Sequence, residues 1–312
     1  MRNRLVIGTR KSPLALWQSE FIKSELEKHF PGVTVTLHHV VTMGDKTQDS
    51  KAAIPAIGGK GLFTAELEEC LAKGEIDLAV HSLKDLPTVV DAKFVVGAIP
   101  PRSYVDDVVI SRTGVTVQEL PQGANIGTSS VRRSSQLLRL RPDLMTSIIR
   151  GNVDTRLRKL RAEGGEYDAI VLARAGLSRL GLESEITQVL NEGEMLPAPG
   201  QGALGVECRA GDVELLEMLS RLHDPKTAAE VTAERAFLHA LGAGCNTPVA
   251  ARAVVVLKNG TDRLVFKGRC LSADGKQCIE VEGEDSLAQA GALGDRMASK
   301  ALERGFRTLC AA

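Results

Sequence analysis

Residues 124–161 read ANIGTSSVRRSSQLLRLRPDLMTSIIRGNVDTRLRKLR. A short apolar strand signal, ANIGTSS, gives way to an arginine-rich helical stretch, VRRSSQLLRLR. A second strand signal, LMTSIIRG, then gives way to a second helical stretch, NVDTRLRKLR, which Asn152 can cap. Strand and helix alternating at this spacing imply parallel strands joined by crossover helices, hence an α/β architecture. Open sheets of that kind bind ligands beyond the carboxyl ends of their strands.

The same rhythm extends in both directions. Upstream, RLVIGTR (4–10) leads into SPLALWQSEFIKSELEKHF, where Ser12 can cap and Pro13 suits the first helical position. Leu14, Trp17, Phe21, Ile22 and Leu26 form one apolar face at helical spacing. VTVTLHHVV (33–41) alternates like a strand, IDLAVHS (76–82) reads as a buried one, and the rhythm returns in DDVVISR (106–112). Downstream comes DAIVLARAGL. After about residue 222 the pattern changes. A helical AAEVTAERAFLHALG precedes VAARAVVVLKNGTDRLVFKGRCLSADGKQCIEVEG, a three-stranded meander turned at Asn259-Gly260 and Asp274-Gly275. SLAQAGALGDRMASKALERGF closes as a helix.

A chain of 312 residues exceeds one ordinary core, so two or three domains are expected. Hydrophobic residues make up 43% and charged residues 25%, as in an ordinary globular protein. Lys+Arg and Asp+Glu both number 39, which argues against a general nucleic-acid or membrane binder and makes any basic site local. MRNRLVIGTRKS has too short an apolar core for a signal peptide, and no apolar run reaches the ~20 residues of a membrane helix. A cytoplasmic location is the expectation. The six cysteines (70, 208, 245, 270, 278 and 310) form no CxxC pair, and the histidines are scattered, so no metal site is expected. Cys70 and Cys208 read as small core residues, while Cys270 and Cys278 flank a turn and could face each other.

Segment 43–63, MGDKTQDSKAAIPAIGGKGLF, is long and polar enough to be a lid or binding loop. Its GGKG is no phosphate loop, because Ile54 stands where glycine is needed and Gly61 where Ser or Thr is needed.

Arginines gather where strands end or helices begin: Arg10, Arg132, Arg133, Arg150, Arg156 and Arg179. Helix N-termini already favour anions, and guanidinium groups add bidentate grip on carboxylates. Taken singly each could be a solvated side chain; their recurrence points to a polyanion site, with phosphates and multiple carboxylates undistinguished. Lys84 and Asp85 follow the strand IDLAVHS. Asp85 could stabilise a cation or shuttle protons, or simply form the turn before Pro87. Cys245, in LGAGCNTPVA (241–250), sits among glycines that strip away neighbouring side chains, as a thiol open to something bulky would require.

GTRKSPLALWQ, GGKGLFTAELE, AVHSLKDLP, GTSSVRR, RGNVDTRL, LARAGLSRLGL, LPAPGQGALGVECR, TAERAFL and GAGCNTPVA together resemble the porphobilinogen deaminase (hydroxymethylbilane synthase) family, in order, over nearly all of residues 4–250. The resemblance implies two doubly wound, periplasmic-binding-protein-like α/β domains (1–102 with 200–221, and 103–199) and a small C-terminal α+β domain (222–312). It implies a dipyrromethane cofactor held by a thioether at Cys245, with Asp85 as catalytic acid. Ser82, Lys84, Thr128, Ser129, Arg132, Arg133, Gly151 and Arg156 fall at cofactor-binding positions. Arg10, Lys60, Arg150, Arg179 and Gln201 fall at substrate-binding ones. Two departures stand out: Ala56 replaces a lysine that some relatives carry, and the cysteine loop differs from the common GGC form.

The implied reaction joins four molecules of porphobilinogen, each losing ammonia, and water then releases hydroxymethylbilane. The longest chain carries about twelve negative charges, whose burial without fixed cations would be prohibitive. No metal, nucleic acid or membrane is implied, and a monomer is the family expectation. The rival classes are a solute-binding protein, disfavoured by the missing export signal and the unpaired cysteine, and a regulator's effector domain, disfavoured by the lack of a basic helix-turn-helix.

Overall fold

The computed structural model describes residues 2–43, 64–244 and 246–311. The chain divides into two compact units, Met1–Ser103 with Gly202–Ala228, and Tyr104–Gln201 with Ala229–Ala312.

The first unit is built on a five-stranded sheet of order β2-β1-β3-β10-β4. Its strands are β1 (Arg4–Thr9), β2 (Thr34–His39), β3 (Leu78–Ser82), β4 (Phe94–Ala98) and β10 (Leu204–Arg209). Helix α1 (Pro13–His29) starts where the sequence predicts: Pro13 is its first residue, and the Ser12 hydroxyl accepts from the Ala15 N–H. Ile22 and Leu26 of α1, with Leu215 and Leu219 of α6 (Val213–Leu219), bury one sheet face against Leu5, Ile7, Leu78 and Val206. Leu67 and Leu71 of α2 (Ala65–Lys73) cover the other. Gly8 sits under this second layer, where a Cβ would lie 2.3 Å from Ile76 Cδ1, so no larger residue lets α2 and its flanking loop approach β1.

The second unit holds a five-stranded sheet of order β7-β6-β8-β5-β9 and a three-stranded sheet, β11-β12-β13. The larger sheet comprises β5 (Asp107–Ser111), β6 (Asn125–Gly127), β7 (Met145–Ser147), β8 (Ala169–Ala173) and β9 (Gln188–Val189). Leu137 of α3 (Val131–Leu140) packs on one face, with Ile126 and Val171. Leu157 and Leu160 of α4 (Val153–Arg161), with Leu177 of α5 (Arg174–Arg179), pack on the other. The antiparallel meander of β11 (Val249–Lys258), β12 (Thr261–Leu271) and β13 (Cys278–Asp285) packs on α7 (Pro225–Ala240) and α8 (Ala290–Glu303), with α9 (Phe306–Ala311) beyond. Phe237 and Phe266 meet edge to face at 5.2 Å in its core. Asn259 and Gly260 both take positive φ, +50° and +76°, as a two-residue hairpin turn demands.

Two expectations change. The five-stranded sheets are mixed rather than parallel: β10 runs antiparallel to β3 and β4, and β5 runs antiparallel to β8 and β9. Neither strand is delivered by a helix crossing over from its sheet neighbour, so the right-handed crossover rule does not orient it. Cys270 and Cys278 do not face each other. Cys270 pairs with Ile279 and Cys278 with Leu271, which puts the two side chains on opposite faces of the meander.

Candidate functional site

In the first unit, β1 and β3 run parallel with Gly8 beside Ala79, so their carboxyl ends share one edge of the sheet. Arg10 follows β1 there, and Ser82 closes β3. The Ser82 hydroxyl accepts from the buried Gln18 amide at 2.8 Å. A 3-10 turn, Leu83–Asp85, comes next. Its buried Leu83 donates its N–H to Ala203 O at 3.0 Å, which anchors the turn. Lys84 is half-buried, and Asp85 is exposed. Among the described residues no hydrogen bond or ion pair engages the Asp85 carboxylate, so it is available to an incoming donor.

In the second unit, β6 is parallel to both β7 and β8, with Gly127 beside Ser147 and Ile170. Their carboxyl ends converge. Thr128 and Ser129 follow β6, and Ser129 donates its hydroxyl to Ile149 O at 2.6 Å, tying the ends of β6 and β7 together. After β7 come Arg150 and Gly151, then α4, whose first turn is closed by the Asn152 side chain accepting from the Thr155 N–H at 3.0 Å. Arg156 in that turn donates Nε to Gly151 O at 2.9 Å. Arg179 ends α5, and burial pushes its guanidinium down to about 10, still cationic at neutral pH.

The strongest feature of this edge is a residue the sequence reading passed over. Because β5 is antiparallel to β8, with Asp107 opposite Ala173, it delivers its first residue to the edge where the parallel strands end. Asp107 is fully buried. One of its oxygens accepts from Arg132 Nη1 at 2.7 Å; the other accepts from Arg133 Nε and Nη2, at 3.0 and 2.7 Å, and from Gln201 Nε2 at 3.0 Å. Arg132 Nη1 also donates to Leu196 O at 2.7 Å, and Arg133 Nη1 to Val171 O at 3.1 Å. Both arginines are nearly inaccessible, 5% and 7% exposed. Burial pulls the Arg132 guanidinium below its ordinary value. Two buried cations thus share one carboxylate, which leaves a net positive charge for a further anion to offset. Arg132 Nε and Nη2 make no hydrogen bond among the described residues. A carboxylate-bearing cofactor suits this donor set.

Gln136 and Glu234, also unforeseen, brace the same region. The buried Gln136 amide donates to Leu196 O and accepts from the Leu196 N–H and from Arg269. Glu234, on α7, accepts from the N–H groups of Gly200 and Ala253. The signal was weak in each case: a glutamine inside an arginine-rich helix and a glutamate in TAERAFL. Cys245 and Lys60, singled out in the sequence, lie outside the described residues, as does most of the 43–63 segment. Among the described residues no cluster of three His, Cys, Asp or Glu could hold a metal, and no helix is long and apolar enough to cross a membrane.

Fold and site together define an α/β protein with arginines gathered near the carboxyl ends of its strands. The family model "Porphobilinogen deaminase, dipyromethane cofactor binding domain" matches residues 5–217, and "Porphobilinogen deaminase, C-terminal domain" matches 228–303. The chain is 46% identical to a porphobilinogen deaminase of Roseiflexus castenholzii over 311 residues, covering all of both chains. It is 47% identical to one from Syntrophotalea carbinolica over 308 residues, 99% of this chain and 95% of that protein. Among solved structures it is similar to the methionine-binding protein MetQ, at 14% identity and TM-score 0.43 over 70% of this chain and 88% of that one. A likeness that distant carries no argument.

The chain belongs to the porphobilinogen deaminase family. It is a transferase of tetrapyrrole biosynthesis with a dipyrromethane cofactor, a hydroxymethylbilane synthase that joins four porphobilinogen molecules with release of ammonia.

Proposed function

We propose that Asp85 is the catalytic acid of this reaction and that Cys245 carries the cofactor. Ser82, Lys84, Thr128, Ser129, Arg132, Arg133, Gly151 and Arg156 hold the cofactor's acidic side chains, and Arg10, Lys60, Arg150, Arg179 and Gln201 hold the substrate's. The observation that carries this reading is the pair of buried guanidiniums, Arg132 and Arg133, set against the single carboxylate of Asp107. Fixed, dehydrated cations at strand ends grip carboxylates far better than hydrated ones. The dipyrromethane group, when bound, supplies the nucleophilic pyrrole carbon to which substrate is joined.

The chain's own residues then do three things. The arginines orient each porphobilinogen by its two carboxylates. Asp85, exposed on an anchored turn and without a hydrogen-bond or ion-pair partner among the described residues, meets positive charge as it develops on the substrate's pyrrole nitrogen when ammonia departs. The same carboxylate passes protons between the pyrrole and the leaving amine. The division into 1–102 with 200–221, 103–199 and 222–312, a monomeric state and a cytoplasmic location belong to the same reading.

The test is Asp85→Asn, assayed by ammonia and hydroxymethylbilane release from added porphobilinogen. An exposed turn residue costs the fold little, so the variant is expected to keep its cofactor by intact mass while turnover drops ~100-fold or more. Turnover near that of the parent removes Asp85 from catalysis.

A further inference from the structure

We infer that Asp107 is a positioning residue for cofactor capture: its buried carboxylate aims the Arg132 and Arg133 guanidiniums at the cofactor's acidic side chains. The inference rests on the reading of those arginines as cofactor-binding. Three separate elements meet on this one carboxylate. Arg132 and Arg133 come from the first turn of α3, Gln201 from the segment before β10, and Asp107 itself from the start of an antiparallel strand. Adjacent helix residues point about 100° apart, so two neighbouring arginines do not converge without a shared acceptor. Asp107 supplies one, taking Arg132 on Oδ2 and Arg133 on Oδ1.

The two guanidiniums are spent differently: Arg133 commits Nε, Nη1 and Nη2 to Asp107 and the Val171 carbonyl, whereas Arg132 commits only Nη1, to Asp107 and the Leu196 carbonyl. For Arg132 the Nε and Nη2 positions remain unspent among the described residues. A long, flexible side chain loses much of its rotamer freedom here before the ligand arrives, and that preorganisation favours binding. Asp107 touches neither substrate nor reacting atoms in this account; it acts through the arginines.

The experiment follows loading of apoprotein, made in a host without porphobilinogen, as a function of added porphobilinogen. Intact mass reads the covalently loaded fraction, independently of turnover. Three variants are compared: Asp107→Asn, Arg132→Leu, and the double variant Asp107→Asn with Arg133→Gln, which removes one charge of each sign and keeps the net charge of the network. The porphobilinogen concentration giving half-maximal loading rate is expected to rise at least tenfold for Asp107→Asn and for the double variant, with the final loadable fraction unchanged. A defect confined to folding does the reverse, lowering the loadable fraction and leaving the half-maximal concentration in place. Parental half-maximal loading by Asp107→Asn or by the double variant overturns the inference. So does failure of both to fold, because a group needed only to aim side chains can be lost without losing the fold. Arg132→Leu separates this from the underlying reading: if it loads like the parent, the arginine assignment itself is wrong; if it fails while Asp107→Asn loads normally, only the role of Asp107 falls.

Discussion

Gly151 offers a quantitative check on how the arginine-bearing edge of the second unit is built. Its φ is +111°, a backbone state L side chains rarely adopt. A Cβ there would lie 2.6 Å from Thr155 Cγ2 and 2.8 Å from Thr155 Cβ. Gly151→Ala therefore adds backbone strain of about 1–3 kcal/mol and overpacking of about 1–3 kcal/mol. The less flexible unfolded chain returns about 0.4–1 kcal/mol. A net loss of about 1–6 kcal/mol follows, which in a body of ~200 residues lowers the melting temperature by roughly 2–22 °C. Calorimetry and urea titration read the loss directly. Thr155→Ala removes Cγ2, so combining it with Gly151→Ala is expected to restore about 1 kcal/mol relative to Gly151→Ala. Melting of Gly151→Ala within about 1 °C of the parent, or a double variant no more stable than Gly151→Ala, would refute the strain and clash at this position.

Two further outcomes bear on the same edge. The Tyr167 hydroxyl donates to Ile148 O at 2.8 Å, steadying the segment that carries Arg150, and burial pushes this phenol up to about 12. A folded value raised above the ordinary ~10 gives stability that is fully present below pH ~10 and lost as pH climbs toward 12. Tyr167→Phe is expected to cost about 1 kcal/mol at pH 8 and to flatten the fall in urea midpoint above pH 10; an unchanged pH profile contradicts this. Arg150→Leu is expected to stall priming or elongation, read as partly extended species by intact mass, whereas parental kinetics would return Arg150 to a solvated role.

Much of the fold was legible because its signals are local. Ser12 and Pro13 open α1, Asn152 opens α4, and Asn259-Gly260 turns the β11–β12 hairpin. The positions of Arg10, Arg132, Arg133, Arg150 and Arg156 were legible for the same reason, since each lies within a few residues of a strand end or a helix start, whereas Arg179 instead ends α5. What escaped depended on contacts distant in sequence. Asp107 looked like any acidic residue opening an apolar run, since its partners lie 25, 26 and 94 residues away. Its arrival at the site depends on β5 running antiparallel, which strand-helix alternation predicts wrongly. The facing of Cys270 and Cys278 was misjudged because it turns on a one-residue register. Assigning carboxylates rather than phosphates to the arginines came from the family resemblance, since guanidinium groups accept either.

The central claim to test is a covalent acidic primer attached to this chain and extended beside Asp85. Intact-mass spectrometry of the freshly purified protein, before and after addition of porphobilinogen, tests it most directly. A mass above that of the translated sequence by one dipyrromethane, absent in Cys245→Ala and rising in pyrrole-sized steps with substrate, is the predicted result. A mass equal to the bare sequence that stays fixed when porphobilinogen is supplied would contradict it.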